Sequence, residues 1–426
     1  MRDRHIIKVA VAAPLFTLFD YLPAQQCTCL PQPGCRVLVP FGRNSRIGVV
    51  WRHGDPDPQT PPRHQLKSVS RVIDQTPLLD ELELRFLQWC ADYYHHPPGE
   101  VVSAALPARL RQAVEPRPTV ERGWVIGDKH PVLSNFDRAP LQQRIVRMLL
   151  QAGDCVAQST LQTLDGDIRA ALKRLADKGV IQECAVAAQP RQTGSPAQLT
   201  LTEEQRQAVK AISSAAGFAT LLLDGITGSG KTEVYLRAAD RIVAQGGQVL
   251  VLVPEIALTP QLLRRFQQGI DGLVVVSHSA LNSSERERAW MLAQQGDADL
   301  LIGTRSAIFT PMPRLALIVV DEEHDSSYKQ QEGFRYSARD LAVVKAKLRA
   351  IPVVLGSATP SLESLHNCLK HRYHWLKLRQ RAGEAMLPRI GLIDIRAQRL
   401  RAGIASDLLK SCLLYTSDAA DECPAV

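Results

Sequence analysis

The sequence has no apolar run approaching the roughly 18 residues that a membrane-spanning helix needs, so no membrane partner is expected. It also has no C-x-x-C pair among its nine cysteines, which excludes the usual spacing of a zinc site. Cys27 and Cys29 form a lone C-x-C that reads as ordinary strand thiols, and the overall cysteine usage fits a reducing cytosol. One stretch points the other way: Arg2 and Arg4 precede an apolar segment from Val9 to Phe19, as in a secretory leader. Within it, however, Ile7, Val9 and Val11 alternate with Lys8, Ala10 and Ala12, which is the period of a strand, and Pro14 interrupts the run. A strand is therefore expected there, in a protein of the reducing cytosol.

What is present is the composition of a folded protein with several cores. The 426 residues are 45% hydrophobic and 22% charged, and their formal charge of +8 favours an anionic partner such as nucleic acid without deciding it. At about 150 residues per domain, about two to four domains are expected. Residues 1–111 read as a small β-rich domain, with strands around Arg36–Gly42 and Ile47–Trp51, a Pro-rich loop from Asp55 to Pro62, and a helix from Leu79 to Tyr94. Residues 112–139 read as a linker. Short amphipathic helices across 140–187, with Gly179 stopping one of them before a strand, have the pattern of a winged helix, read equally well as a DNA-binding module or a spacer. A second linker covers 188–198.

From 199 to 410 short apolar segments alternate with helices, at Ala219–Leu223, Gln248–Val253, Gly272–Val276, Ala298–Ile302, Ala316–Val320 and Pro352–Leu355. Strands this apolar are buried on both faces, so a doubly wound α/β lobe of RecA-like type is expected. Residues 411–426 have no periodicity and carry an acidic cluster, Asp418 to Glu422, which reads as a non-native tail on a truncated frame.

The chemistry concentrates in this lobe. Gly225-Ile226-Thr227-Gly228-Ser229-Gly230-Lys231-Thr232 fits G-x-x-x-x-G-K-[ST], follows an apolar strand and opens a helix. Its glycines let successive N–H groups face phosphate oxygens, Lys231 would neutralise the β and γ phosphates, and Thr232 would ligate Mg²⁺. Asp321-Glu322-Glu323-His324 follows the strand Leu317–Val320. Asp321 would hold the metal and Glu322 would activate water; adjacent acids beside a polyphosphate imply a divalent cation between them. Gln205, some twenty residues before the phosphate loop, would read the adenine edge. Ser357 and Thr359, in Gly356-Ser357-Ala358-Thr359-Pro360, would relay the γ-phosphate state from Glu322 and His324. Thr304 and Arg305, like the segment Val253 to Pro260, follow strands where a nucleic-acid backbone would pass. In the run from Ser327 to Tyr336, the aromatics Tyr328, Phe334 and Tyr336 interleave with Lys329 and Arg335. That is the recipe for stacking on single-stranded bases, and a packing loop is the other reading.

In these motifs the sequence resembles the PriA-type replication-restart helicases of superfamily 2, most specifically across Asp321 to Tyr336, with support from Val253 to Gln261 and Arg379 to Gly383. The resemblance covers about residues 1–410. It implies a 3′-DNA-end-binding domain, a winged helix and a first helicase lobe, with ATP-driven 3′-to-5′ unwinding at stalled or repaired forks and primosome assembly. It implies forked and single-stranded DNA, single-stranded-DNA-binding protein and primosome proteins as partners. Phe19, Asp20, Tyr21, Gly42 and Lys67 fall where the family holds a 3′-terminal nucleotide, although pattern alone makes Phe19 and Tyr21 core residues. Zinc is implied only for a carboxy-terminal cysteine-rich part, which together with the second lobe lies outside the matched residues. The second lobe would supply a transition-state arginine worth about 10³–10⁵ in rate, so weak turnover, or a non-catalytic DNA- and nucleotide-binding role, is the alternative expectation.

Overall fold

A computed structural model describes residues 6–24, 30–54, 66–116, 120–127, 136, 139–161, 164, 167–187, 200–382, 400–401 and 404–405. The Asp55–Pro62 loop, the Cys27–Cys29 pair, the 188–198 linker and the 411–426 tail lie outside the described residues. The chain divides into two units, 1–382 and 383–426.

The first unit opens with β1 (Ile6–Val11), β2 (Phe19–Tyr21), β3 (Arg36–Phe41), β4 (Asn44–Gly54) and β5 (Arg71–Val72), hydrogen-bonded in the order β2-β1-β4-β3-β5. The leader-like stretch is therefore a fully buried strand at its start, as its alternation requires. Chain 66–70 closes the far side. Leu22 pairs with Ser68, the Ser70 N–H donates to Leu38 O (2.9 Å), and the Tyr21 hydroxyl donates to Pro40 O (3.0 Å). The sheet thus curls around Ile7, Val9, Val37, Val39, Val50 and Val69. Helices α1 (Glu81–Tyr93) and α2 (Pro98–Ala105) follow. The Asp80 carboxylate accepts from Glu83 N (2.7 Å) to cap α1, and Pro98 opens α2 in the turn where its missing N–H costs nothing.

The next elements are β6 (Val120–Ile126), α3 (Pro140–Ala152), β7 (Val156–Ala157), α4 (Gln158–Leu161), α5 (Ile168–Asp177) and β8 (Ile181–Ala187). Strand β6 sits in the stretch 112–139 read as a linker, and this corrects that reading for Val120–Ile126. It lies between β7 and β8 in a three-stranded sheet, and Trp124 joins the core made by Ile145, Leu149, Leu172 and Leu175. Its Glu121, Arg122 and Gly123 interrupt the apolar pattern and hid it. Cys155 and Cys184 are paired as a disulfide, which the scattered cysteines did not announce.

The lobe runs α6 (Glu203–Ser213), β9 (Ala219–Gly225), α7 (Lys231–Ala244), β10 (Gln248–Leu252), α8 (Pro260–Gly269), β11 (Val274–Ser277), α9 (Ser283–Gln295), β12 (Leu300–Gly303), β13 (Leu315–Val320), α10 (Ala338–Arg349), β14 (Pro352–Ser357), α11 (Leu362–Leu369) and β15 (His374–Leu378). Its seven strands pair in parallel in the order β11-β12-β10-β13-β14-β9-β15. The six expected strands are all present, and β15 is an unexpected seventh. As an edge strand it is half exposed, so His374 and Lys377 masked it. On one face Leu221, Val249, Val251 and Val319 meet α6, α7 and α8. On the other, Leu222, Leu250, Ile318 and Val353 meet α9 and α10, and the same core continues into Phe86, Leu87 and Val101 of α1 and α2. The amino-terminal helices are thus built into the lobe. In the second unit, β16 (Leu400–Arg401) pairs with β17 (Ile404–Ala405).

Candidate nucleotide and DNA sites

The carboxyl edge of the lobe sheet gathers the motifs. Strand β9 ends at Gly225, and α7 begins at Lys231 after Gly228 (φ 80°) and Gly230 (φ 78°), left-handed conformations that glycine adopts without strain. The bend is tight: a Cβ at Gly225 would lie 2.6 Å from Ser229 Oγ, itself buried without a hydrogen-bond partner. The Lys231 ammonium donates to Gly225 O (3.0 Å) and lies 3.8 Å from Glu322 Oε1. This cradle, with its lysine and a free buried hydroxyl, fits a polyphosphate.

Facing it, Asp321 follows β13 directly. The Tyr235 hydroxyl, one turn beyond Lys231 on α7, donates to Asp321 Oδ1 (3.0 Å). That hydroxyl occupies the space a Cβ would take at Gly356, so β14, α7 and Asp321 meet at one point. Burial, reinforced by the neighbouring Glu322 charge, pushes the Asp321 carboxyl up from 3.8 to about 6, and the buried Tyr235 phenol is pushed well above its ordinary value. Asp321 and Thr232 are the groups that would hold Mg²⁺, which supplies charge neutralisation of the phosphates when bound. Glu322 adopts φ 46°, a strained turn that aims its carboxylate between Lys231 (3.8 Å) and His324 Nδ1 (3.6 Å). His324 Nδ1 lies 2.7 Å from Ser357 Oγ, which also accepts from Thr359 N (2.9 Å). The acidic motif thus reaches the Ser357 hydroxyl through His324, while Thr359 joins only through its backbone N–H.

Sequence reasoning missed two members. Tyr235 is one, and its spacing of four from Lys231 was the available signal. Glu323 is the other: its buried carboxylate accepts from Ser361 N (2.6 Å), Ser364 Oγ (3.0 Å) and Arg339 (3.3 Å), tying the acidic motif to α10 and α11.

Several expected contacts are corrected. Gln205 is buried with both ends of its amide in use: Oε1 accepts from Thr202 N (2.9 Å) and Nε2 donates to Ser229 O (2.8 Å). It braces the phosphate loop instead of presenting a free edge to adenine. Tyr328, Phe334 and Tyr336 are buried, so they cannot stack on bases; Phe334 packs on Tyr94, His96 and Phe309. The Tyr328 hydroxyl sits within hydrogen-bond reach of Leu252 O (3.0 Å) and Asp321 O (2.6 Å). Lys329 and Arg335 face outward, as do Gln331 and Glu332. Thr304 is buried, and the Arg305 guanidinium donates to Ser327 O (3.0 Å) and Lys329 O (3.1 Å), clamping the loop.

In the curled amino-terminal sheet, Phe19 stacks edge-on against Phe41 (5.0 Å), beside Gly42, and Lys67 O accepts from Leu22 N (3.0 Å). Phe19, Tyr21 and Gly42 therefore come to one end of the sheet. Tyr21 is buried, which pushes its phenol up to about 12. The Asp20 carboxylate is 1% exposed and pairs with Lys8 (3.0 Å), so it is not a free acceptor for a terminal nucleotide. Lys67 is exposed and Gly42 has open space around it.

Two family models match this architecture: a 3′-DNA-binding domain over residues 8–107 and a DEAD/DEAH box helicase domain over 202–368. The replication restart protein PriA of Haemophilus influenzae is 38% identical over 418 residues, covering 95% of this chain and 56% of that protein. The chain belongs to the PriA family. The PriA of Bacillus subtilis is 30% identical across 90% of the chain, and that of Synechocystis is 44% identical over 59% of it. The chain spans 56% of the length of the Haemophilus influenzae and Bacillus subtilis PriA relatives. Among the described residues, no helix is long and apolar enough to cross a membrane.

Proposed function

We propose that the protein is an ATP-dependent 3′-to-5′ DNA helicase that recognises stalled or repaired forks and starts primosome assembly. The observation that carries this is the joining, through one core, of the 3′-end-binding sheet to a lobe where Lys231, Asp321, Glu322, His324 and Ser357 converge. ATP with Mg²⁺ enters at the phosphate loop, Thr232 and Asp321 hold the metal, and Glu322 orients the attacking water. Lys329 and Arg335 meet the DNA backbone, and Phe19, Gly42 and Lys67 line the site of a free 3′ end, with Tyr21 buried behind them. Its partners are forked and single-stranded DNA, single-stranded-DNA-binding protein and primosome proteins in the bacterial cytoplasm, at the nucleoid.

The test compares the protein with Glu322→Gln and Lys231→Ala on forked DNA. Glu322→Gln keeps the shape of the side chain but removes its basicity, so it should bind ATP and DNA normally and lose hydrolysis by about 10²–10⁴-fold. Lys231→Ala should lose nucleotide binding while DNA binding persists. Undiminished fork-stimulated hydrolysis in either variant refutes the assignment.

A further inference from the structure

The segment that follows β15 runs directly over the phosphate loop. The Ile226 N–H donates to Leu378 O (3.2 Å), and the Ala382 N–H donates to Gly228 O (2.9 Å). The Arg379 and Gln380 N–H groups both donate to the Glu204 carboxylate at the start of α6 (2.7 and 3.2 Å). A Cβ placed on Gly230 would lie 3.4 Å from Ala382 Cβ, and one on Gly228 would lie 4.0 Å from Arg381 Cγ. Residues 378–382 therefore form a strap fastened at both ends, to α6 and to the loop itself.

Its position along the sheet edge says which part of a nucleotide it faces. In strand order, Asp321 and Glu322 follow β13, Ser357 ends β14, the phosphate loop follows β9, and the strap follows β15. A triphosphate lying along the loop with its terminal phosphate at Glu322 and Lys231 directs its ribose and base the other way, toward α6 and the strap. Gln205, the expected reader of the base, is spent on Thr202 and Ser229. Arg381 is half-buried beside the loop, and among the described residues its guanidinium has no hydrogen-bond or ion-pair partner.

We infer that the strap Leu378–Ala382 is the base-side wall of the nucleotide site, with the Arg381 guanidinium lying on the face of a purine base. A planar cation stacks on an aromatic ring and a compact ammonium does so less well, so the contact needs arginine specifically. Glu204 is the positioning residue, because its carboxylate fixes the two backbone amides that set the strap against the loop. This rests on the phosphate-loop reading proposed above.

The experiment measures binding of a fluorescent ATP analogue, competed by ATP or by inorganic tripolyphosphate, which has no base. Arg381→Ala should weaken ATP by about tenfold and leave tripolyphosphate within about twofold of the parent protein. Arg381→Lys should stay closer to the alanine variant than to the parent. Glu204→Gln should weaken ATP partially, again sparing tripolyphosphate. Equal weakening of both competitors in Arg381→Ala, full rescue by lysine, or no change in ATP affinity overturns the inference. Lys231→Ala must lose both competitors; if it does not, the phosphate-loop reading itself has failed, independently of Arg381.

Discussion

At the scale of single residues, the candidate nucleotide site is braced by a group that does no chemistry itself. Tyr235 points its hydroxyl at Asp321 from the helix that carries Lys231, so one side chain sets the Asp321 carboxylate relative to the phosphate loop. Tyr235→Phe removes a hydrogen bond to a charged group in a buried setting. We expect hydrolysis to fall about tenfold, with the ATP KM within about twofold and the Mg²⁺ requirement raised. A variant that lowers only the folded fraction would leave the Mg²⁺ midpoint where it was. Asp321 gives a second prediction. Its folded pKa is raised from 3.8 to about 6, so its contribution to stability is full below the unfolded value and is lost as pH rises through about 6. In the presence of a chelator, Asp321→Asn cannot ionise and should gain thermal stability over the parent between pH about 5 and about 7. Mg²⁺ should close that gap. A melting difference that stays flat across this range would contradict the buried, metal-free carboxylate.

At the scale of elements, the loop from Tyr328 to Tyr336 has two sides with separate tasks. Its aromatic rings complete the core between β13, α10 and the amino-terminal helices, while Lys329 and Arg335 remain in solvent. The burial pattern separates predictions that the sequence alone would merge. Tyr336→Ala opens a buried cavity and should cost stability by about 3–5 kcal/mol, read by denaturant unfolding. The double change Lys329→Ala with Arg335→Ala should leave stability within about 0.5 kcal/mol, weaken single-stranded DNA binding and flatten its salt slope. If the charge variant binds DNA with the parent's salt dependence, the outward face of the loop does not carry phosphate contacts. Arg305 makes the loop more than a surface excursion. By clamping the carbonyls of Ser327 and Lys329, it fixes the segment whose first aromatic, Tyr328, touches the backbone of Asp321.

At the scale of the whole molecule, the amino-terminal helices and the lobe are joined through charge as well as through the shared core. Lys345 on α10 and Glu83 on α1 are each 1% exposed and lie 2.9 Å apart, and Arg349 adds Glu83 and Asp80. The Lys345 ammonium also donates to Ile308 O and Thr310 O (2.9 Å each), so all its protons are used. Burial lowers its pKa, and Glu83 opposes that shift. Lys345→Met leaves a buried carboxylate and two carbonyls short of a donor and should destabilise by about 3–5 kcal/mol. Lys345→Met with Glu83→Leu should recover a substantial part of this. Chemical denaturation of the two variants measures it, and equal losses would place the cost in packing instead of charge. A rigid joint of this kind gives the sheet that would hold a 3′ end a defined position relative to the ATP site.

Local chemistry made much of this legible in the sequence. The phosphate loop, the Asp321–His324 motif and the six apolar strands are contiguous patterns, and contiguous patterns survive folding because backbone geometry and burial act within a few residues. The period of two in Ile7, Val9 and Val11 likewise outweighed the leader-like composition around it. Other features depended on what each segment packs against. Strand β15 carries the exposed His374 and Lys377, and β6 carries Glu121, Arg122 and Gly123, so neither is apolar enough to announce itself. Tyr328, Phe334 and Tyr336 are typical of both base-stacking and core-packing segments, and the fold decided between the two by burying them: Tyr94, His96 and Phe309 pack on Phe334, Phe309 packs on Tyr336, and Tyr328 reaches the backbone of Leu252 and Asp321. Gln205 lost its expected role because the phosphate loop folds back to within 2.8 Å of it, and Asp20 lost its own because Lys8 on the adjacent strand reaches it first. Composition and local spacing thus determined which chemistry the chain carries. Tertiary structure decided which side chains are exposed to perform it, because a polar or aromatic group acts on a ligand only when the fold leaves its atoms unpaired and uncovered.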